Sequence, residues 1–144
     1  MGWTGTDPAD WAAKQKAKLR NVYRSSVQEL LNEMGTGRGA GGLIPVKTGN
    51  LARSALVEIG KAVQIDAEAD SFTGPDAAAV VNLDLGDTAY LGWQAKYARR
   101  VNYGFVGEDA LGRTYNQSGA GFAESIAAKW PKIVDGAVKE AAKT

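Results

Sequence analysis

The amino-acid sequence predicts an α+β fold: a long N-terminal helix and a C-terminal helix packed on a small, mainly antiparallel sheet, with a short helix before the sheet and long loops. Three observations carry this. Leu19, Val22, Tyr23, Val27, Leu30, Leu31 and Met34 recur at spacings of three and four, the period of one helix face. Phe122, Ile126, Trp130, Ile133, Val134, Ala137, Val138 and Ala141 keep the same spacing near the C-terminus. Between them Val57, Ile59, Val63 and Ile65 alternate with Glu58, Gly60, Gln64 and Asp66, the period of a half-buried strand. At 144 residues the chain is the size of one domain with a core of its own.

The first helix is expected over 7–34. Asp7 is placed to cap it, Pro8 sits at the first helical position, Asp10 puts a negative charge in the first turn, and Gly35 ends it. Residues 35–46 form a glycine-rich loop. Pro45 disfavours helix at Ile44, so these glycines do not feed a helix N-terminus as a phosphate cradle does; a mobile loop or hinge is expected.

Over 47–104 the sequence predicts a short helix capped by Thr48 and running to Leu56, then a strand over 57–65 interrupted at Lys61. A turn at Gly74-Pro75-Asp76 leads to a second strand through Val81, Leu83 and Leu85. A hairpin turn at Gly86-Asp87 leads to a third strand, Thr88 to Trp93. A short helix comes next over Tyr97–Gly104, with Tyr97 and Val101 inward and Arg99 and Arg100 outward. Such a sheet needs a helix across one face. Residues 105–121 read as a long polar loop that docks through Phe105, Leu111 and Tyr115. In the last helix, 122–143, Pro131 predicts a kink or a break.

Composition narrows the function. Lysine plus arginine total 17 and aspartate plus glutamate 16, a net charge of +1, which excludes a strongly basic nucleic-acid coat or an acidic tail protein. Histidine and cysteine are absent. There is no disulfide framework, Cys/His zinc site, thiol nucleophile or histidine base. Glu108-Asp109 falls in a polar loop where nothing raises a carboxyl pKa. Asp66, Glu68 and Asp70 alternate with alanines and could share one face of an extended strand, but a solvated turn accounts for them. Neither an enzyme nor a cofactor or metal is expected. The N-terminus has no basic segment followed by an apolar one, and no run of 18 apolar residues occurs. The expectation is a chain made and folded in a cytoplasm, with no membrane contact.

The near-neutral total hides a segregation. From Trp11 to Gln28 stand Lys14, Lys16, Lys18, Arg20 and Arg24 with no acid; from Ala62 to Ala95 stand Asp66, Glu68, Asp70, Asp76, Asp84 and Asp87 with no base. Two outcomes are open: head-to-tail contact between copies, or charge balance inside one chain. The candidate interface residues are Arg20, Arg24, Arg99, Arg100, Asp66, Glu68, Arg113 and Tyr115. The alternative is a small DNA-binding module that meets phosphates through Lys16, Arg20, Arg24, Arg99 and Arg100.

Ile44-Pro45-Val46-Lys47-Thr48-Gly49-Asn50-Leu51-Ala52-Arg53-Ser54 resembles the P-V-D-T-G-x-L-R-x-S stretch of the tailed-bacteriophage tail-component family typified by the HK97 gp10-like proteins. Tyr97-Ala98-Arg99-Arg100-Val101-Asn102-Tyr103-Gly104 is similar to that family's Y-A-x-x-V-E-x-G segment. Leu111 to Gln117 and the Phe122 helix are similar to the region C-terminal to that segment in one branch of the family. Lys47 stands where the family usually has aspartate and Asn102 where it usually has glutamate, so any bridge those acids make between subunits is lost here. The resemblance implies a virion neck protein made in the host bacterial cytoplasm. It would form a homo-oligomeric ring, expected to be a hexamer, for head–tail joining or tail completion. Its partners would be the head-closure or connector protein and the tail terminator or tail tube. Phage DNA would pass through without sequence-specific contact.

Overall fold

A computed structural model describes residues 7–45, 49–66, 68–69, 71–108 and 114–143; the side chains of 100, 104–108 and 114–118 lie outside the described set. The architecture is α+β. A long N-terminal helix and a C-terminal helical segment pack with a two-stranded antiparallel sheet.

The first helix, α1 (Pro8–Met34), forms as its sequence predicts. The Asp7 carboxylate accepts the Ala9 N–H at 2.8 Å, and proline occupies the first turn. Its core face is narrower than the apolar spacing implies: Val27, Leu31 and Met34 are buried, whereas Leu19 is exposed. The helix stops at Gly35, but not through a left-handed residue, since φ there is −99°. Glycine is needed because a Cβ would overlap the Pro75 ring.

The glycine-rich loop is not a hinge. Gly37 and Ile44 form a parallel bridge. The Arg38 N–H reaches the Ile44 carbonyl at 2.9 Å, and the Gly42 N–H reaches the Gly37 carbonyl at 3.0 Å. This holds Ile44 in the core with no exposure. A Cβ on Gly42 would run into the Thr36 backbone, so the loop closes tightly because it lacks side chains.

The next helix, α2 (Asn50–Arg53), is shorter than expected. Gly49, at φ 80°, occupies the cap position, and Thr48 lies outside the described residues. Leu56 belongs to the strand β1 (Ala55–Ile59) rather than to the helix. That strand ends early because Gly60 turns left-handed at φ 79°. It pairs antiparallel with β2 (Ala89–Trp93), in the register Ala55↔Trp93 to Ile59↔Ala89.

The strand expected at Val81–Leu85 does not form. Ala78–Asn82 is a 3-10 turn, followed by a turn in which the Asp87 N–H reaches the Asp84 carbonyl at 3.1 Å. The buried residues here are Val80 and Leu83, three apart, while Val81 and Leu85 face solvent. The period is three, and the alternation at 81, 83 and 85 shares only Leu83 with it.

The short helix α3 (Ala98–Tyr103) forms as predicted, with Tyr97 and Val101 against the core. The expected loop 105–121 is corrected. Its backbone makes an antiparallel hairpin, β3 (Gly104–Glu108) with β4 (Thr114–Ser118), in the register Gly104↔Ser118 to Glu108↔Thr114. Residues 109–113, including Leu111, lie outside the described residues.

The C-terminal segment breaks rather than kinks, giving α4 (Phe122–Ala127) and α5 (Trp130–Ala142), with Pro131 in the first turn of the second. A proline is tolerated there because that N–H has no helical partner. Phe122 and Ile126 enter the core, and the Phe122 ring meets Trp93 edge-on, centroids 4.8 Å apart. The Trp93 indole N–H also binds the Met34 carbonyl at 3.1 Å. One residue thus ties β2 to the end of α1 and to α4. No α5 residue is fully buried; the helix lies along α1 and is latched by Lys129 to Glu33 at 2.8 Å. Among the described residues no helix is long and apolar enough to cross a membrane.

Candidate interaction surfaces

One pair of the segregated charges, Arg20 and Asp84, is balanced within the chain. On α1, Arg20 Nε donates to the Asp84 carboxylate at 2.7 Å and Arg24 Nε to the Leu83 carbonyl at 2.6 Å. The Tyr23 hydroxyl donates to the Asp87 carbonyl at 2.7 Å. The spacing 20, 23, 24 puts all three on one side of the helix, where they grip the 83–87 turn. One guanidinium nitrogen of each arginine, Nε, serves this intramolecular joint.

The Arg20 hydrogen bond, then the Leu85 N–H, hold the Asp84 carboxyl below its ordinary 3.8. A carboxyl with a lowered folded pKa contributes its stability above that ordinary value and loses it as the pH falls through the depressed one. Arg24→Met is expected to cost about 1.5–3 kcal/mol, the range for a hydrogen bond to a charged group, read as a drop in urea midpoint. Arg20→Met is expected to cost less, since its bridge is solvent-exposed and weakened by salt. It should also flatten the loss of stability below pH 4. Equal losses from the two variants would contradict this joint.

Other members of the two segments are not balanced. Lys14, Lys16 and Lys18 are exposed and pair with no carboxylate among the described residues. Asp66, Glu68 and Asp76 are likewise exposed and pair with no cation among them. The Asp66 carboxylate accepts the Glu68 and Ala69 N–H groups, each at 3.2 Å. That is an Asx turn, not the extended strand that would align three carboxylates; Asp70 lies outside the described residues. Among the described residues no group of three or more metal-ligating side chains converges.

Arg99 lies over the Tyr103 ring at 5.7 Å, a cation–π distance, and both are exposed. Arg100 shares this helix, with its side chain outside the described set. Tyr115 lies in β4, its side chain also outside that set, and Arg113 lies outside the described residues. Nothing described brings Arg99 to the α1 arginines.

Asn50, Arg53 and Asn102, from the two sequence motifs, serve the scaffold. Asn50 Oδ1 accepts the Phe72 N–H at 2.8 Å, while Arg53 Nε donates to the Phe72 carbonyl at 2.9 Å. One turn of helix thus holds both backbone groups of one loop residue. Buried Asn102 accepts the Ala123 N–H at 2.8 Å and donates to both Glu124 carboxylate oxygens, at 3.1 and 2.9 Å. The Asn102 bond is the main reason the Glu124 carboxyl sits below its ordinary 4.5.

A groove of about 830 Å³ between α1 and α5, with Val22, Ile133 and Gly136 in its wall, was not foreseen. It arises because α5 rests on α1 through small and half-buried side chains.

Comparison with family models, curated proteins and solved structures returned no match. The functional reading therefore rests on this chain's own residues and on the two motifs.

Proposed function

We propose that the chain is a structural virion protein of a tailed bacteriophage, a ring-forming neck or tail-completion component that joins the head connector to the tail around the DNA channel. The carrying observation is the uncompensated charge, lysines on α1 and acids on the 66–76 loop, in a chain of near-zero total charge. Such a surface suits association with copies and neighbours. A near-neutral ring also lets DNA slide, because each phosphate neutralised adds affinity that passage must then overcome. The motif resemblance supplies the class of particle. Its partners are further copies in a six-fold ring, a head-closure or connector protein and a tail terminator or tail-tube protein.

The DNA-binding alternative would have to use Arg20 and Arg24 while each keeps one nitrogen on the 83–87 turn. The double substitution Arg99→Glu, Arg100→Glu tests the reading. It is expected to leave circular dichroism and thermal unfolding unchanged and to give separate heads and tails by electron microscopy. Normal infectious particles from the double variant would refute the role given to α3.

A further inference from the structure

Lys14, Lys16 and Lys18 lie toward the N-terminal end of α1 and Asp66, Glu68 and Asp76 toward its C-terminal end, with Asp10 at the first end and Arg38 and Lys96 near the second. The acidic loop is fixed at the C-terminal end: Pro75 lies against Gly35, the Asp66 N–H binds the Gln94 carbonyl at 2.9 Å, and the adjacent Trp93 binds Met34. The lysines lie at the other end. The groove beside α5 begins on α1 at Lys18, and residues 8–17 are exposed apart from half-buried Ala12 and Gln15. At 1.5 Å per residue, Lys18 and Lys14 stand roughly 25 and 30 Å along the axis from Gly35. Charges that far apart are screened from each other at a Debye length of about 8–10 Å. Neither set can satisfy the other within one molecule. The helix dipole, positive at the lysine end and negative at the acidic end, points the same way.

Each end also carries an exposed apolar side chain. Trp11 is 58% exposed and shares a helix face with Lys14 and Lys18, at i+3 and i+7. Ile65 is 53% exposed beside Asp66. An apolar anchor ringed by charge is the composition of a protein-binding patch.

We infer that the occupant of the projecting α1 end is a second copy of this chain: Trp11, Lys14 and Lys18 of one molecule dock on Ile65, Asp66, Glu68 and Asp76 of the next. The two surfaces differ, so the contact is heterologous and propagates head to tail until it closes. This rests on the assembly reading above and names the surfaces that meet.

The test uses the full chain and two reciprocal variants. K14E/K16E/K18E reverses the helix end. I65K/E68K removes the loop's apolar anchor and most of its negative charge without removing the Asp66 or Asp76 carboxylates that bind backbone. Sedimentation velocity across a concentration series, at low and high salt, is expected to show wild type associating. Each variant alone should need about 10- to 100-fold more protein, and their equimolar mixture should recover association into pairs, since the intact loop of one meets the intact helix end of the other. Trp11→Ala should weaken association at both salt concentrations.

If wild type associates and the variants do so equally, or the mixture fails to recover, this pairing is wrong while the assembly reading stands. A wild type that stays monomeric at every concentration overturns both. A lowered thermal midpoint in K14E/K16E/K18E would mean that the lysines are satisfied inside the chain, which overturns the pairing. So would salt-dependent binding of a short DNA duplex that this variant abolishes, with no self-association.

Discussion

Phe122→Ala is expected to lower stability by about 3–5 kcal/mol, the cost of removing a buried aromatic ring from a core that cannot fully collapse. Phe122 is 1% exposed and its ring contacts Trp93 at 4.8 Å and 83°, so the loss falls where α1, β2 and α4 meet. For a chain of this length the midpoint of thermal unfolding should fall by roughly 10–20 °C. Calorimetry checks this, and fluorescence should report the tryptophan's loss of its neighbour. A change below 1 kcal/mol would mean that the C-terminal segment is not seated in the core.

Asn102→Asp is the second large effect. The substitution keeps the size and the oxygen that accepts the Ala123 N–H, but turns the donor to Glu124 into a second carboxylate oxygen. Asn102 is buried, and losing its donor is expected to cost about 1–3 kcal/mol at neutral pH. The pH dependence is diagnostic. In the wild type, the Glu124 pKa is lowered, so the bond contributes fully above 4.5 and is lost as the pH falls through the depressed value. In the variant, acidification protonates one carboxyl of a repelling pair and restores a donor, so the gap from wild type should narrow below about pH 5. Glu124→Gln in the same background should rescue stability at pH 7. Urea unfolding at pH 4.5 and pH 7 distinguishes these outcomes; a gap that does not vary with pH would show that the two carboxylates do not face each other. The glutamate usual at position 102 in the resembling family would bring the same like charge.

The elements legible in the sequence are those whose local signals agree. For α1, the Asp7 cap, Pro8 and the 27–31–34 spacing all point one way, and for α5 Pro131 marks the start. The third expected strand, β2, and the short helix α3 also form where patterning places them. The failures have physical causes. The 78–87 segment has apolar residues at nearly every other position, so a period of two and a period of three fit equally until Val80 and Leu83 prove to be the buried pair. The 104–118 hairpin has no alternation to read. The glycine loop reads as flexible from composition, yet glycine is there for the close approach of Gly42 to Thr36. The charge segregation was visible, but the split between Arg20–Asp84 and the free lysines was not, since it depends on which turn of α1 faces residues 83–87. Leu19 shows the converse: it keeps the helical period yet is exposed, between Lys18 in the α5 groove and Arg20 on the 83–87 turn.

Several of the joints that set this architecture have a side chain on one side and only main chain on the other. Tyr23 binds the Asp87 carbonyl, Arg24 that of Leu83, Arg53 that of Phe72 and Trp93 that of Met34. A carbonyl offers the same oxygen whatever residue bears it, so one half of each joint is indifferent to mutation as long as the backbone path persists. Only the gripping residue is constrained. A protein fastened this way can drift in sequence faster than it drifts in shape.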